Sequence, residues 1–472
     1  MLHKIILLFA KAMKRLFTSL VTTLIAFMTL MAQNHVGEAV MISDTLDVGI
    51  LKADSDTLPY PQNIRQRLDT ILTARMLQRS QIGLMVYDLT ADSCIYAYNH
   101  QQTMRPASTQ KLVTAIAAID QLGGNYQFRT SLYYTGSIRD GVLTGNLICV
   151  GGMDPEFSRD DLMAFVESLR RLGVDTIRGS ILADRSFKDD NLLGEGWCWD
   201  DDNPTLSPLL ISQKDDFTGR LAQALKENGA VLITDDMNLQ PQSANTQSPK
   251  TLVCTRTHTI DQILAKMMKD SDNLYAEAMF YQLGASTGNR TSKATHARNV
   301  INQLISKVGL QPANYKIADG SGLSLYNYLT PELHITLLRY AYRNPNVLAH
   351  LLPALPIAAE DGTLKNRMAG TSAASNVRAK TGTVTAVSCL AGYCTADNGH
   401  DLCFAIMNQG VLKIADGRTM QDRICQALCA PATHTLRQAI TPMTPPQKVT
   451  KTKKPRKPQR AQKNPKRRKR RK

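Results

Sequence analysis

The chain has 472 residues, enough for two or three domains, and its hydrophobic content of 43% is typical of a globular protein. Its formal charge of +16 is concentrated at one end, because residues 448–472 contain 15 basic side chains and no acidic one. The preceding residues therefore sum to about +1. A nearly neutral body argues against a nucleic-acid-binding protein, although the isolated tail would bind any polyanion at low salt.

The N-terminus predicts an export signal. Basic residues precede an uncharged run at 16–32, which ends on the small residue Ala32. We expect cleavage near Ala32, so that residues 1–32 are a signal peptide and the protein is exported to the periplasm. An uncleaved anchor is the alternative, because the run is close to the minimum length of a membrane span. Met13 would make a second conventional start, and the polar residues 33–58 are predicted to form a flexible lead.

The folded part changes its pattern near residue 126. Longer apolar helices and alternating strands give way there to short strands bounded by Gly and Asp, which predicts an inserted domain. The elements predicted before residue 250 are an amphipathic helix at 61–80, strands at 81–89 and 94–98, a helix from Ser108, and helices near 160–172 and 215–228.

The second half returns to the first pattern. The early and late strands are predicted to form one antiparallel sheet, with the helix from Ser108 packed against it. The Pro-, Lys- and Arg-rich tail at 438–472 cannot bury enough apolar surface to fold and is predicted to be disordered. The elements predicted after residue 250 are helices between 261 and about 308, a loop at 319–324, a helix from Pro331, strands at 377–393 and 401–408, and a helix at about 417–429.

The cysteines and histidines predict neither a metal site nor a cofactor. Nine cysteines are an odd number, so at least one is unpaired in a monomer. Cys425 and Cys429 lie one helical turn apart, which is unfavourable for a disulfide, whereas Cys389, Cys394 and Cys403 lie in apolar strand-like segments and are predicted to be small core residues. No group of His and Cys has the spacing of metal ligands.

Three short motifs indicate chemistry: Ser-Thr-Gln-Lys at 108–111, Ser-Asp-Asn at 271–273 and Lys-Thr-Gly-Thr at 380–383. In this order they match the S-x-x-K, S-D-N and K-T-G set of active-site-serine enzymes that bind penicillin. Each motif alone is weak, because a Ser three residues before a Lys arises by chance in most chains of this length. Together they predict a serine acyl-transfer site.

The spacing of the first motif suits a nucleophile and its base. A serine hydroxyl is a poor nucleophile at neutral pH unless a base lies beside it, and Lys111 lies one helical turn after Ser108 on the same face. The apolar run at 112–119 must be largely buried, so Lys111 is expected to be partly desolvated, which lowers its pKa. The alternative is a helix-capping serine followed by an exposed lysine.

The second motif lies in a tight loop between helices predicted at 260–268 and 274–283. Ser271 could relay a proton between Lys111 and a leaving amine, and Asn273 offers a donor and an acceptor to a substrate amide. The alternative is a helix-capping turn, and Asp272 is expected to cap the following helix in either case.

The third motif lies in a β-branched, alternating stretch at 377–387 that predicts a strand. Gly382 would let a substrate backbone approach closely. Lys380, Thr381 and Thr383 would form a cationic surface, rich in donors, that suits a free C-terminal carboxylate. The alternative is an ordinary strand with a surface lysine.

With these motifs the chain, over about residues 60–430, resembles the D-alanyl-D-alanine carboxypeptidase/endopeptidase family of class C, low-molecular-mass penicillin-binding proteins (peptidase family S13). The similar segments are 105–112 (Arg-Pro-Ala-Ser-Thr-Gln-Lys-Leu), 271–277 (Ser-Asp-Asn-Leu-Tyr-Ala-Glu), 319–324 (Asp-Gly-Ser-Gly-Leu-Ser), 380–383, and the turn at 150–155, in which Met153 replaces a glycine of the family.

The resemblance implies an α+β fold. A penicillin-binding serine transferase core, an antiparallel five-stranded sheet flanked by helices, would occupy residues 59–125 and 251–437. A large inserted α/β domain at 126–250 would interrupt it. The implied reaction is cleavage of the D-Ala-D-Ala bond of peptidoglycan stem peptides, or of D-centred cross-links, through an acyl-serine that β-lactams also form.

The resemblance also implies roles for single residues. Lys111 would take the proton of Ser108, the main-chain N–H groups of Ser108 and Thr383 would stabilise the oxyanion, and Ser271 would protonate the departing D-Ala. The family often has an arginine where this chain has Leu325, and that arginine could hold an anionic group on the substrate side chain. The preference of this protein among diamino-acid side chains in the stem peptide therefore stays open. Asp154, on the turn of the insert, is predicted to face the cleft and bind a cationic group of the stem peptide, with a structural Asp-Pro turn as the alternative.

Competing hypotheses are a β-lactamase with the same motifs and a cell-wall-binding module that has lost activity. Such β-lactamases are usually smaller and lack so large an insert, and the motifs of this chain are intact. The expected partners are peptidoglycan stem peptides and β-lactams. The basic tail is expected to bind anionic envelope polymers or a membrane surface, and no specific nucleic acid.

Overall fold

The computed structural model describes residues 58–233 and 249–430. The predicted signal peptide at 1–32, the lead at 33–58 save its last residue, and the tail at 438–472 lie outside the described residues. Within the described ranges, no helix combines the length and the apolar character needed to cross a membrane.

The elements up to residue 233 include the helix that follows Ser108 and the short strands of the insert. Short 3-10 turns at Arg75–Gln78 and Ala107–Thr109 accompany them. In chain order they are α1 (Gln62–Ile71), β1 (Gln81–Asp88), β2 (Ser93–Tyr98), α2 (Gln110–Leu122), β3 (Gln127–Tyr134), β4 (Ser137–Arg139), β5 (Val142–Thr144), β6 (Leu147–Val150), α3 (Arg159–Arg171), β7 (Thr176–Arg178), β8 (Ile181–Asp184), α4 (Phe217–Glu227) and β9 (Val231–Ile233).

The elements after residue 249 begin with one long strand, continue as helices and end in a hairpin, a third strand and a last helix. In chain order they are β10 (Thr251–Thr259), α5 (Ile260–Lys269), α6 (Asn273–Ala285), α7 (Ala294–Lys307), α8 (Pro331–Arg343), α9 (Pro345–Ala354), β11 (Arg378–Val384), β12 (Val387–Thr395), β13 (Asp401–Gln409) and α10 (Ile414–Cys429).

The central sheet has the strand order β11-β12-β13-β1-β2, and every neighbouring pair is antiparallel. Alternate side chains of a strand point to opposite faces, and β1 shows the consequence. Ile82, Leu84 and Val86 pack into one core with α1 and α10, whereas Met85 and Tyr87 contact the core on the other face. The predicted five-stranded antiparallel sheet flanked by helices is therefore confirmed.

Helix α2 lies inside the second core. Its residues from Gln110 to Ile119 are all buried, and it packs against α5, α6, α7, α8 and α9. A helix surrounded in this way holds its first turn rigidly, and that turn follows directly on Ser108.

The insert forms two further four-stranded sheets, with the orders β10-β3-β6-β8 and β4-β5-β7-β9. Both contain parallel as well as antiparallel pairs. Strand β10 begins after the predicted limit at residue 250, yet it pairs with β3 from Thr251 opposite Tyr134 to Thr259 opposite Gln127. The sheet of the insert thus continues to Thr259, while the domain limits themselves stay a prediction.

Two predicted elements are shorter in the structure. The helix predicted at 61–80 ends at Ile71, where the β-branched pair Thr70 and Ile71 and then Thr73 have low helix propensity. The stretch at 377–387, predicted as one strand, ends at Val384. Val384 pairs with Val387 across a two-residue turn that forms a hairpin, and Ala386 in this turn has a φ of 59°.

All nine cysteines are free thiols, and the three predicted core cysteines are buried. Among the described residues, no cluster of three or more His, Cys, Asp or Glu side chains is arranged to hold a metal ion.

Candidate active site

The three motifs meet where α2, the α5–α6 connection and β11 come together. Ser108 is in the 3-10 turn that leads into α2. Ser271 is in the short connection between α5 and α6, with a left-handed φ of 61°. Strand β11 packs against the turn that contains Ser108. Residues far apart in the sequence are thus side by side.

The ammonium group of Lys111 is the centre of the site. Its Nζ donates to Ser108 Oγ at 3.0 Å, to Asn273 Oδ1 at 2.7 Å and to the main-chain oxygen of Ser321 at 2.9 Å. The side chain is fully buried. Two acceptors from other segments of the chain, Asn273 Oδ1 and the Ser321 oxygen, therefore hold Nζ on the serine oxygen.

Burial changes the proton affinity of Lys111. Desolvation lowers its pKa to about 8, while the carboxylates of Asp319, Glu277 and Asp272 act in the opposite direction. An amine with this pKa is partly neutral near neutral pH and can accept a proton. Lys111 was predicted to be partly desolvated, and in the structure its side chain is completely buried.

Lys380 lies inside the protein and contacts the second motif. Its Nζ donates to Ser271 Oγ at 2.8 Å and to the Thr381 main-chain oxygen at 2.9 Å. Burial, with the positive charge of Lys111 nearby, holds the pKa of Lys380 well below its usual range. The alternative of an ordinary strand with a surface lysine therefore does not fit, whereas the role of Lys380 toward a carboxylate stays a prediction. The lysine hydrogen-bonded to Ser271 is Lys380, not Lys111.

Asn273 is the first residue of α6, and its amide faces Lys111. Because Oδ1 accepts from Lys111, the acceptor predicted for a substrate amide is engaged within the protein. The Nδ2 group is the part that can donate to a substrate. Asp272 caps the helix, as predicted, by accepting from the Tyr275 N–H at 3.3 Å.

The structure requires glycine at position 382 for a different reason from the predicted one. A Cβ at this position would lie 2.6 Å from the Pro106 oxygen and 3.1 Å from the Ser108 nitrogen. The backbone that approaches Gly382 is therefore the turn containing Ser108, not a substrate. On either side of Gly382, Thr381 Oγ1 contacts Thr363 Oγ1 at 2.8 Å, and Thr383 is exposed.

Strand β11 is an edge strand of the central sheet. At the start of the strand the Ala379 N–H donates to the Pro356 oxygen at 3.0 Å, and Arg378 forms an isolated bridge with Ile357. From residue 380 onwards no further strand pairs with this edge among the described residues, so its main-chain groups are suited to exchange hydrogen bonds with an extended peptide.

Asp154 does not face the cleft. Its side chain is fully buried, Oδ2 lies 2.7 Å from His258 Nδ1, and Oδ1 accepts from the Glu156 N–H at 3.1 Å. His258 lies on β10, so this pair joins the turn at 150–155 to the sheet of the insert. The prediction that Asp154 binds a cationic group in the cleft is therefore wrong, and the structural alternative fits the contacts.

Replacing Asp154 by asparagine is expected to lower the free energy of unfolding by about 1–3 kcal/mol, because the negative charge that strengthens the buried hydrogen bond to His258 is lost. KM for peptide substrates and the rate of penicillin acylation should stay as in the wild type. Denaturant unfolding and steady-state kinetics measure the two effects. A raised KM at unchanged stability would restore Asp154 as a substrate contact.

The loop at 319–324 resembles the family in sequence, but its residues carried no predicted role. Asp319 fixes the loop by accepting from the Gly322 N–H at 2.8 Å, the Ser324 N–H at 2.6 Å and Trp197 Nε1 at 2.9 Å. The group that contacts Lys111 is the main-chain oxygen of Ser321. A main-chain oxygen has no signature in the sequence, so only the motif itself could have pointed to it.

Comparison with known proteins agrees with this geometry. The chain is 27% identical over 415 residues to D-alanyl-D-alanine carboxypeptidase DacB of Haemophilus influenzae, covering 71% of this chain and 86% of that protein. It is 26% identical over 440 residues to D-alanyl-D-alanine carboxypeptidase of Actinomadura sp. (strain R39), covering 74% and 81%. The crystal structure of penicillin binding protein 4 (dacB) from Haemophilus influenzae has a TM-score of 0.66 and 24% identity over 75% of this chain and 97% of that chain, which shows a shared fold.

The model of the D-Ala-D-Ala carboxypeptidase 3 (S13) family matches residues 64–212 and 205–430. These segments span most of the chain and include all three motifs. The protein therefore belongs to the D-Ala-D-Ala carboxypeptidase 3 (S13) family of serine hydrolases and has the fold of penicillin-binding proteins.

Proposed function

We propose that the protein is a serine-type D-Ala-D-Ala carboxypeptidase or DD-endopeptidase that cleaves peptidoglycan stem peptides through an ester on Ser108. The observation that carries this proposal is the buried Nζ of Lys111, held 3.0 Å from Ser108 Oγ. The curated relatives named above are D-alanyl-D-alanine carboxypeptidases, and a related structure holds a β-lactam. Penicillin is therefore expected to acylate the same serine.

In the acylation step, neutral Lys111 takes the proton of Ser108 as Oγ attacks the carbonyl carbon of the penultimate D-Ala. The carbonyl oxygen becomes an oxyanion, for which we assign the main-chain N–H groups of Ser108 and Thr383 as donors. The close packing of Gly382 on the Ser108 nitrogen supports this assignment. One such donor contributes about 3–4 kcal/mol in other hydrolases.

Collapse of the tetrahedral intermediate breaks the C–N bond, and the departing D-Ala nitrogen needs a proton. We assign this transfer to the hydroxyl of Ser271, and Lys380 Nζ, which donates to Ser271 Oγ at 2.8 Å, replaces the proton that Ser271 gives up. Water then hydrolyses the ester: Lys111 returns its proton to Ser108 Oγ, and the proton released by the attacking water passes through Ser271 to Lys380. With penicillin, the amine formed when the β-lactam ring opens stays covalently attached to the acyl group. Because this leaving group cannot diffuse away from the ester, the ester is expected to hydrolyse slowly.

For substrate binding we assign the free carboxylate to the hydroxyls of Thr381 and Thr383, with the charge of Lys380 behind them. Thr383 is exposed and Thr381 half-buried, so both can meet a ligand. Asn273 Nδ2 would donate to a substrate carbonyl.

Incubating the mature protein with defined muropeptides and identifying the products by mass tests the proposal. Release of D-Ala from pentapeptides or cleavage of D-centred cross-links is expected, together with covalent labelling by a fluorescent penicillin. A protein that does neither would contradict the proposed function.

Replacing Lys380 by methionine is expected to reduce kcat/KM about ten-fold more for peptides with a free C-terminal carboxylate than for amidated peptides, because the positive charge behind the two threonine hydroxyls is lost. Both substrates should also lose rate, because Ser271 loses its partner. Ser271→Ala is the matched control, since it should affect both substrates equally. Equal losses in the Lys380 variant would show that Lys380 does not serve the carboxylate.

We propose further that the protein acts on the cell wall outside the cytoplasm and that residues 442–472 bind anionic envelope polymers. Segregated positive charge on a nearly neutral chain supports this, because each basic residue near an anionic surface contributes about 1 kcal/mol, which salt screens. Truncation after Thr441 should release the protein from envelope fractions at low salt without changing its D-Ala release. Full retention of the truncated protein would refute the tail as an anchor.

A further inference from the structure

Glu277 is a buried carboxyl group directly beneath the loop at 319–324. It lies on α6, is 1% exposed, and none of the steps described above uses it. Its Oε1 accepts from the N–H of Ser321 at 2.8 Å and from the N–H of Gly320 at 3.1 Å, and Oε2 lies 3.3 Å from the Gly320 nitrogen. Glu277 thus binds the amide of the residue whose carbonyl accepts from Lys111.

The position of Glu277 on α6 gives that helix a double connection to Lys111. Asn273 lies four residues earlier, one turn away on the same face. Asn273 contacts Nζ of Lys111 directly, whereas Glu277 acts through Ser321. Two of the three acceptors around the lysine therefore depend on one helix face.

Other hydrogen bonds already fix the backbone conformation of the loop at 319–324. Asp319 already binds the N–H groups of Gly322 and Ser324, and Thr114 Oγ1 donates to the Gly320 oxygen at 2.7 Å. What Glu277 adds is the orientation of the peptide units at 320–321, where the acceptor for Lys111 is located.

Charged groups from several elements surround Glu277. Asp319 of the loop and Lys111 of α2 lie near it, Tyr281 is one turn on along α6, and Asp272 caps that helix. Arg298 of α7 lines the same cavity of about 380 Å³. Burial and the charge of Asp319 raise the pKa of Glu277 to about 8, although its hydrogen bonds to residues 320 and 321 lower it.

We propose that Glu277 is a positioning residue for acylation: it holds the Ser321 carbonyl against Lys111 and thereby keeps Nζ on the oxygen of Ser108. This inference rests on the proposed function, because it takes Lys111 as the base. On this proposal, Glu277 affects the rate of acylation and not only the stability of the fold.

The test compares Glu277→Gln and Glu277→Ala with the wild type. The acylation rate with a fluorescent penicillin is measured from about pH 6 to pH 10, and thermal unfolding is recorded for each variant. Glu277→Ala should lower the maximal rate about 100-fold, the effect expected when a reacting group moves by about 1 Å. Glu277→Gln keeps an acceptor for the Ser321 amide and should lose much less.

The rate profile of Glu277→Gln should also move to lower pH. Acylation requires the neutral amine of Lys111, and the carboxylate of Glu277 raises the pKa of that amine. Glu277 carries this negative charge only as the pH passes its own raised pKa of about 8. In that range its removal lowers the pKa of Lys111, so the rate of Glu277→Gln should reach its plateau at a lower pH than that of the wild type. A purely structural role would leave the shape of the profile unchanged.

Gln282→Leu is the matched control. Gln282 lies on the same buried helix and loses comparable hydrogen bonds, to Gly152 at 2.6 Å and from Tyr126 at 2.7 Å, but it does not touch the loop. This variant should lose stability and keep the wild-type rate and profile. If both Glu277 variants acylate like Gln282→Leu at every pH, the inference is wrong while the proposed function stands. If the wild type itself is not acylated, the proposed function fails and the inference with it.

Discussion

Replacing Ser108 by alanine is expected to abolish covalent labelling by a fluorescent penicillin and the release of D-Ala, while the protein stays folded. The oxygen that would form the ester is removed, and no other hydroxyl lies within 3.0 Å of Lys111 Nζ among the described contacts. Removing the nucleophile of a serine hydrolase costs several orders of magnitude in kcat. Gel fluorescence, D-Ala release and thermal unfolding measure these outcomes.

Ser93→Ala is the control for this experiment. Ser93 is exposed at the start of β2, so the variant should be labelled like the wild type. Peptide mapping of the labelled wild type should place the penicilloyl group on Ser108. Label on Ser271 or Ser321 instead would show that the nucleophile has been assigned to the wrong motif.

Replacing Lys111 by alanine is expected to stop acylation throughout the neutral range, a loss of about 10²–10⁴-fold typical of a general base. In the wild type the acylation rate should rise with pH through about 8, because the pKa of Lys111 is lowered to that value and only the neutral amine accepts the Ser108 proton. Rate measurements across this range show whether the rise disappears in the variant.

Lys111→Arg separates charge from basicity. A guanidinium keeps the positive charge but cannot give up its proton, so this variant should be as inactive as Lys111→Ala. An arginine variant with substantial activity, or a wild-type rate that falls as pH rises through 8, would exclude Lys111 as the base.

The sequence alone determined the chemistry and the main architecture. The Ser-Lys pair lies within one helical turn, and the cap by Asp272 acts within three residues, so local spacing was sufficient for both. The alternating pattern at 81–89 likewise predicted a strand of the central sheet, and the structure has β1 there. A pattern of side chains specifies the local secondary structure, and the backbone geometry of that structure determines contacts between residues a few positions apart.

The partners of each motif were decided by the tertiary structure. Lys111 meets Asn273 and Ser321 across 162 and 210 residues, and Lys380 meets Ser271 across 109. Nothing in the local pattern distinguished which lysine would face Ser271. That choice depends on how α6 and β11 pack on the turn of Ser108.

Burial was decided in the same way. The motif at 380–383 predicted a cationic binding surface and a glycine that a substrate backbone can approach, but it did not show that the turn of Ser108 packs on Gly382 or that Lys380 is enclosed. Asp154 is buried and pairs with His258, 104 residues later, on a strand that the sequence pattern predicts in the other domain. A sequence pattern specifies which groups can ionise or donate a hydrogen bond. Long-range packing decides which of these groups are shielded from solvent and which residues they contact.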